Sequence, residues 1–211
     1  MPDYTYETAP RISPLETYEW EDIWWDHAPD TEGKRILIIG DSISCGTRRA
    51  ASKLEGRNVF IDAFGTSKAV DNPEFFRLID YFAAANHRYE AVYFNNGLHG
   101  WHLNDEEYAP LLTKVAEYIK AKFAPKKFFI MLTTPTRKSG NTEYFSEQND
   151  RVKVRNAAAA ETARAVGAEI IDLYSLIEDR PELYTQDGVH LVPEGYVLLA
   201  RKLLTSGDFM V

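Results

Sequence analysis

The stretch Arg35-Ile36-Leu37-Ile38-Ile39-Gly40-Asp41-Ser42-Ile43-Ser44-Cys45-Gly46 decides the fold. Its apolar run is continuous rather than alternating, which suits a parallel strand buried on both faces. A tight glycine turn and a polar residue opening a helix follow. That order exposes Ser42 Oγ at the carboxyl edge of a sheet and aims helix N-terminal N–H groups at whatever binds there. Three roles stay open on this segment alone: a helix cap by Asp41 or Ser42, an anion site, or a nucleophile. A nucleotide turn is the weak alternative, because neither G-x-G-x-x-G nor G-x-x-x-x-G-K-[ST] is present.

Outward from this stretch, short β-rich apolar runs alternate with helical patterns. The runs are residues 35–39, 58–63, 91–95, 127–133 and 169–173. A helix over 106–123 places Tyr108, Leu111, Leu112, Val115, Ile119 and Phe123 on one face. An Ala-rich helix over 150–166 closes at Gly167. Pro193 opens a last helix, docked by Tyr196, Val197, Ala200, Leu203 and Leu204 and followed by Gly207. The alternation predicts an α/β fold: a three-layer α/β/α sandwich around a five-stranded parallel sheet. Ligands bind beyond the carboxyl ends of such strands. Chemistry is therefore expected at 40–46, 65–68, 96–102, 134–137 and the loop before the last helix.

Composition narrows the classes. A chain of 211 residues predicts one domain, here 34–211, with an aromatic-rich extension over 1–33. The net charge of −8, from 24 basic and 32 acidic residues, argues against nucleic acid or an anionic membrane as partner. A single cysteine excludes an internal disulfide framework and a multi-cysteine metal site. Apolar runs such as 36–39 and 128–132 are far short of the ~20 residues that span a bilayer. The acidic first thirty residues contain no apolar leader core, so a cytoplasmic location is expected.

The far end sharpens the reading of Ser42. Tyr184-Thr185-Gln186-Asp187-Gly188-Val189-His190 places an Asp three residues before a His, just ahead of the last helix. Asp187 can hold His190 Nδ1–H within one turn and leave Nε2 free to take a proton, which is what a serine nucleophile requires. A turn or capping role for His190 is the plainer alternative.

With Gly40-Asp41-Ser42-Ile43 at one end and Asp187-Gly188-Val189-His190 at the other, the chain resembles the SGNH hydrolases, the GDSL-type esterase and acetylhydrolase superfamily, from about Lys34 onward. The resemblance implies a flavodoxin-like fold and ester hydrolysis through an acyl-enzyme, with no metal and no cofactor. It carries over Ser42 as nucleophile, His190 as general base and Asp187 as its orienter. The middle blocks depart from the family pattern. Where the family has N-x-G-x-S-G, this chain has Ala63-Phe64-Gly65-Thr66-Ser67-Lys68. The Lys68 N–H can still serve an oxyanion hole if φ stays negative. Where the family has G-x-N-D, this chain has Gly97-Leu98-His99-Gly100. The resemblance thus places the oxyanion hole at the N–H groups of Ser42 and Lys68 plus a side chain, with His99 preferred and Asn96 as rival.

Other residues need separate weighing. Trp101 and His102 are candidate substrate contacts in the 96–102 loop, with Trp101 a stacking or acyl-packing wall. A metal at His99-x-x-His102 with Asp105 is the less favoured alternative, since no third ligand has convincing spacing. Arg137 reads as a solvated loop charge ahead of a substrate contact, and Cys45 as a small buried helix residue. His27 and His87 receive no role. Tyr4, Tyr6, Tyr18, Trp20, Trp24 and Trp25 crowd the extension. A strap packed on the sheet edge or on a helix is expected there, ahead of a substrate-facing or dimer-forming arm. The substrate expected is a small acylated molecule with a short, chiefly acetyl, acyl group, carbohydrate foremost, because the edge loops are polar and aromatic and no lid-like apolar insertion is present. A lysophospholipase or thioesterase of the same fold, or a non-catalytic carbohydrate-binding protein on it, are the alternatives.

Overall fold

A computed structural model describes residues 15, 16 and 18–210. In chain order the elements begin with β1 (Glu21–Trp24), β2 (Arg35–Gly40), α1 (Ser42–Ala51), β3 (Phe60–Thr66) and α2 (Pro73–Ala83). There follow β4 (Ala91–Phe94), α3 (Asp105–Phe123), β5 (Lys127–Met131), β6 (Arg137–Lys138) and β7 (Asn141–Phe145). The chain ends with α4 (Gln148–Val166), β8 (Glu169–Ile171), α5 (Tyr174–Ile177) and α6 (Pro193–Gly207).

Every residue of β2 is buried, because helices cover the sheet on both sides. Ile36 and Ile38 face Ala51 of α1 and Leu199 and Leu203 of α6. Leu37 and Ile39 face the opposite layer, with Phe75 and Ile79 of α2 and Leu112, Val115 and Ile119 of α3. The five expected parallel strands are present, in the order β3-β2-β4-β5-β8. Numbered along the chain, that is the 2-1-3-4-5 order of flavodoxin-like sheets. Its switch point lies between β2 and β4. The crevice there opens between the residues after Gly40 and those after Phe94.

The sheet has a sixth strand that the sequence pattern does not announce. β1, from the extension, pairs antiparallel with β3 from Glu21 opposite Thr66 to Trp24 opposite Ala63. An edge strand needs no apolar run, so Glu21-Asp22-Ile23-Trp24 shows none. The five-stranded expectation is corrected to a six-stranded mixed sheet. Beyond the 134–136 loop, β6 and β7 form a small separate hairpin.

The extension is anchored at both ends of β1. Beyond it, buried Arg35 donates to the carbonyls of Asp26 (2.6 Å), His27 (2.7 Å) and Asp30 (2.9 Å) and pairs with Asp62 at 3.0 Å. Asp62, fully buried, also accepts from Tyr89 Oη and from the Asp26 N–H and lies 3.0 Å from His87 Nδ1. Trp25 stacks on Phe82 with ring centroids 4.7 Å apart. Before it, the Trp20 N–H donates to Ser67 Oγ and the Ser67 N–H to the Trp20 carbonyl. Tyr4 and Tyr6 lie outside the described residues. Among those described, no helix is long and apolar enough to cross a membrane.

A chain lacking residues 1–31 should therefore expose the β3 edge and the face of Phe82 and strip buried Arg35 of its three carbonyl acceptors. The expected result is a Tm lower by roughly 5–15 °C, given about 2–4 °C per kcal/mol at this size, together with reduced solubility. Thermal unfolding measures it. An unchanged Tm would remove the strap from the folded core.

Candidate active site

α1 starts because Asp41 caps it: Asp41 Oδ1 accepts the Ile43 N–H at 3.0 Å and the Ser44 N–H at 3.4 Å. The capping role belongs to Asp41, and Ser42, the first helical residue, keeps its hydroxyl for another partner. That partner is His190, whose Nε2 lies 2.8 Å from Ser42 Oγ. The two residues are 148 positions apart. His190 Nδ1 lies 2.7 Å from Asp187 Oδ2.

The 184–191 loop builds its own geometry. Asp187 Oδ1 accepts the N–H groups of Val189 and His190 at 2.9 Å and the Thr185 hydroxyl at 2.8 Å. Gly188 sits at φ 77°, and a Cβ there would meet the Arg137 carbonyl oxygen at 2.1 Å. Only glycine fits. Arg137 is correspondingly not the solvated charge expected. It is buried, its N–H donates to the Gly188 carbonyl at 2.7 Å, and its guanidinium bonds the carbonyls of Thr142, Glu143 and Glu178.

The electrostatics follow from these bonds. Burial opposes ionisation of Asp187, but the donors from His190, Val189 and Thr185 outweigh it and hold the carboxyl well below the usual carboxylate range. The hydrogen bond to Asp187 raises the His190 pKa, and burial offsets only part of this. Burial pushes the Cys45 thiol up to about 12, so it stays protonated at neutral pH, a buried helix residue as expected.

The remaining candidates divide. The Lys68 N–H donates to Thr66 Oγ1 at 3.1 Å, and its buried Nζ pairs with Glu19 at 2.9 Å and with Glu21. Its φ is not positive, as an oxyanion role requires. Asn96 is 1% exposed, its Nδ2 donates to the Lys68 carbonyl at 2.9 Å, and its own carbonyl accepts from Tyr108 Oη. Its amide thus ties the ends of β3 and β4 together. His99 keeps a partly exposed imidazole, edge-on to Trp20 with centroids 6.3 Å apart. Burial lowers its pKa against the pull of Asp41 and Glu16, so the ring is neutral at pH 7.

The stacking role expected of Trp101 is corrected. Trp101 is 4% exposed, with the guanidinium of Arg155 4.1 Å from its ring centroid and that of Arg151 at 5.2 Å. It packs inside the loop and offers no wall to a substrate. His102 Nε2 meets Asp71 Oδ2 at 2.8 Å. Neither residue reaches a shared ligand point with His99.

Sequence reasoning missed the inner face of α4. Asn156 pairs with the Thr133 backbone in both directions, at 2.7 and 2.9 Å. Asn149 Oδ1 accepts the Thr136 N–H at 3.0 Å. Arg151 and Arg155 bond carbonyls of the 97–103 loop. The signal available was that Asn149, Val152, Asn156, Ala159 and Ala163 share a helix face, with polar residues where burial demands a partner.

No protein-family model matches the chain. A human protein, isoamyl acetate-hydrolyzing esterase 1 homolog, is 30% identical over 104 residues, covering 44% of this chain and 42% of that protein. The match thus spans less than half the length of that relative. Among solved structures, an alpha/beta hydrolase enzyme from the metagenome of Lake Arreo, Spain, has a TM-score of 0.62 at 15% identity, covering 86% of this chain and 98% of its own. An acetylxylan esterase from Geobacillus stearothermophilus has 0.61 at 14%, covering 84% and 95%. A GDSL-like lipase from Bacteroides thetaiotaomicron has 0.61 at 17%, covering 83% and 88%. At these identities the structures speak to the fold. The chain therefore shares the fold of these solved esterase and lipase structures, and carries its Gly-Asp-Ser and Asp-x-x-His blocks within it.

The raised His190 pKa has a definite sign. Its protonated form is favoured by folding, so its stabilisation is complete below the unfolded value and is lost as pH rises through the folded one. Asp187 behaves oppositely, its contribution being lost as pH falls through its depressed folded value. An NMR titration of His190 should show a midpoint above the ordinary ~6.5 of imidazole, moving down in Asp187→Asn. A midpoint unchanged by that substitution would deny the pairing.

Proposed function

We propose that this chain is a serine esterase acting on short-chain acyl esters, acetyl esters foremost. The observation that carries the reading is the single hydrogen-bonded chain from Ser42 Oγ through His190 to Asp187. Ser42 Oγ attacks the ester carbonyl and passes its proton to His190 Nε2. The carbonyl oxygen becomes an oxyanion, held by the Ser42 N–H and by a ring N–H of neutral His99. His190 returns the proton to the departing alcohol, leaving an acyl-enzyme. Water then attacks that ester with His190 again as base, freeing the acid and Ser42. Asp187 keeps the proton on Nδ1, so that Nε2 is the basic nitrogen.

The acyl half of the substrate is supported by two likenesses, a human homolog of an isoamyl acetate-hydrolyzing esterase and an acetylxylan esterase. For the alcohol half, an acetylated carbohydrate agrees with the second of these. A simple alkyl acetate agrees with the first, and the burial of Trp101 favours it, because that ring is not available to stack on a sugar. Comparing isoamyl acetate with an acetylated xylo-oligosaccharide decides between the two.

A fluorophosphonate probe should label Ser42 rapidly. Labelling should vanish in Ser42→Ala and slow by several orders of magnitude in His190→Ala. On p-nitrophenyl esters, kcat/KM should fall steeply from acetate to octanoate. Absence of labelling would leave a binding protein on this scaffold.

The oxyanion assignment is tested separately. His99→Ala should lower kcat by ~10²–10³, the usual cost of one donor, with partial rescue by His99→Asn. Asn96→Ala should lower Tm while leaving kcat nearly unchanged. The reverse pattern would transfer the role to Asn96.

A further inference from the structure

The peptide bond that follows His99 is held from both sides by oppositely charged groups. Its carbonyl oxygen accepts from Arg155 Nη1 at 2.6 Å. Its N–H, that of Gly100, donates to Glu16 Oε1 at 2.8 Å. In a trans peptide the C=O and N–H point in opposite directions, so a cation on one side and a carboxylate on the other fix the plane. They also align with its dipole, each supplying a charge-assisted hydrogen bond. The two residues come from distant elements: Arg155 from α4 and Glu16 from the strap ahead of β1.

Arg155 is built for this task. It is 1% exposed and bonds two further carbonyls of the same loop, Gly97 at 3.1 Å and Gly100 at 2.6 Å. Its guanidinium lies between the rings of Trp101 and Tyr108, 4.1 and 4.2 Å from their centroids. Among the described residues no carboxylate lies within ion-pair distance of it. A buried cation facing only carbonyls and aromatic faces is costly unless its geometry is used. Here it fixes three carbonyls of one loop. Gly100, at φ 71°, supplies the backbone turn that lets the next carbonyl point to the same guanidinium.

We propose that Arg155 and Glu16 form a clamp on the His99–Gly100 peptide and act as positioning residues that hold the His99 imidazole in the oxyanion hole. The proposal rests on His99 being the oxyanion donor. It assigns the strap a part in the reaction as well as in packing. Both act through His99: Arg155 through its carbonyl, and Glu16 through the Gly100 N–H and, at 4.0 Å, His99 Nδ1. Their effect is on kcat, because the donor must meet an oxygen that moves out of the carbonyl plane only in the transition state.

The test uses the full-length chain and p-nitrophenyl acetate. Glu16→Ala should lower kcat by about 10–100-fold, the scale of a misplaced catalytic group, with KM little changed. Glu16→Gln, which offers the same acceptor oxygen, should restore most of it. The ¹⁵N–¹H signal of Gly100 should move in Glu16→Ala and stay near its place in Glu16→Gln. In a His99→Ala background, Glu16→Ala should cost nothing further, because the clamp would have no imidazole to hold. Arg155→Lys, which keeps charge but loses the fork, should show the same non-additivity where it folds. Where it does not fold, the Glu16 variants decide. Losses that multiply with His99→Ala, or an unaffected kcat in Glu16→Ala, would overturn the clamp while His99 kept its role. An unaffected kcat in His99→Ala would overturn the oxyanion assignment and the clamp with it.

Discussion

The burial of β2 on both faces is the constraint from which the rest follows. Beyond its first residue, the buried Arg35, β2 carries only apolar side chains and glycine, so the next polar groups appear where it ends, at Asp41 and Ser42. The same holds for β4, all buried, whose first polar residues are Asn95 and Asn96. Because the two strands are parallel neighbours, their ends meet at one edge. Ser42, Asn95 and Asn96 are gathered there because β2 and β4 run almost wholly apolar up to those ends. The order of the strands leaves a crevice between those two ends.

The loops at both edges of the sheet are held by buried arginines that bond backbone more than carboxylates. Arg35 takes three carbonyls of the strap, Arg137 three around the β6–β7 hairpin, and Arg155 three of the 97–100 loop. Loop carbonyls lack ladder partners, and each left buried without one costs roughly 1–3 kcal/mol. A guanidinium carries five donors in a planar fork and can satisfy several at once. Lysine, with a compact head, is used differently: Lys68 joins two glutamates of the strap.

The strap belongs to both the fold and the site. Its strand closes the sheet edge, Arg35 and Asp62 fix it below, and Glu16, Glu19 and Trp20 lie against the loops that carry Lys68 and His99. Packing and proximity to the site are therefore one arrangement. The same contacts that protect Phe82 and β3 from solvent bring a carboxylate to the Gly100 N–H.

The sequence by itself determined the parallel sheet, the last helix, and the pairing of Asp187 with His190. Each of these is local. A buried parallel strand is a run of apolar residues, a helix is a period, and an Asp three residues before a His closes its hydrogen bond within one turn. The two family blocks also brought Ser42 to His190 on paper across 148 positions. Only the tertiary structure decided the sixth strand, the burial of Trp101 and Arg137, the pairing of His102 with Asp71, and the setting of His99. β1 is an edge strand and needs no apolar run. The partners of Trp101 and His99 lie on α4 and on the strap, 56 positions away in the case of Arg155 and His99. A hydrogen bond between such distant residues leaves no period or spacing in the chain, because it depends on how the elements pack and on nothing either segment holds alone.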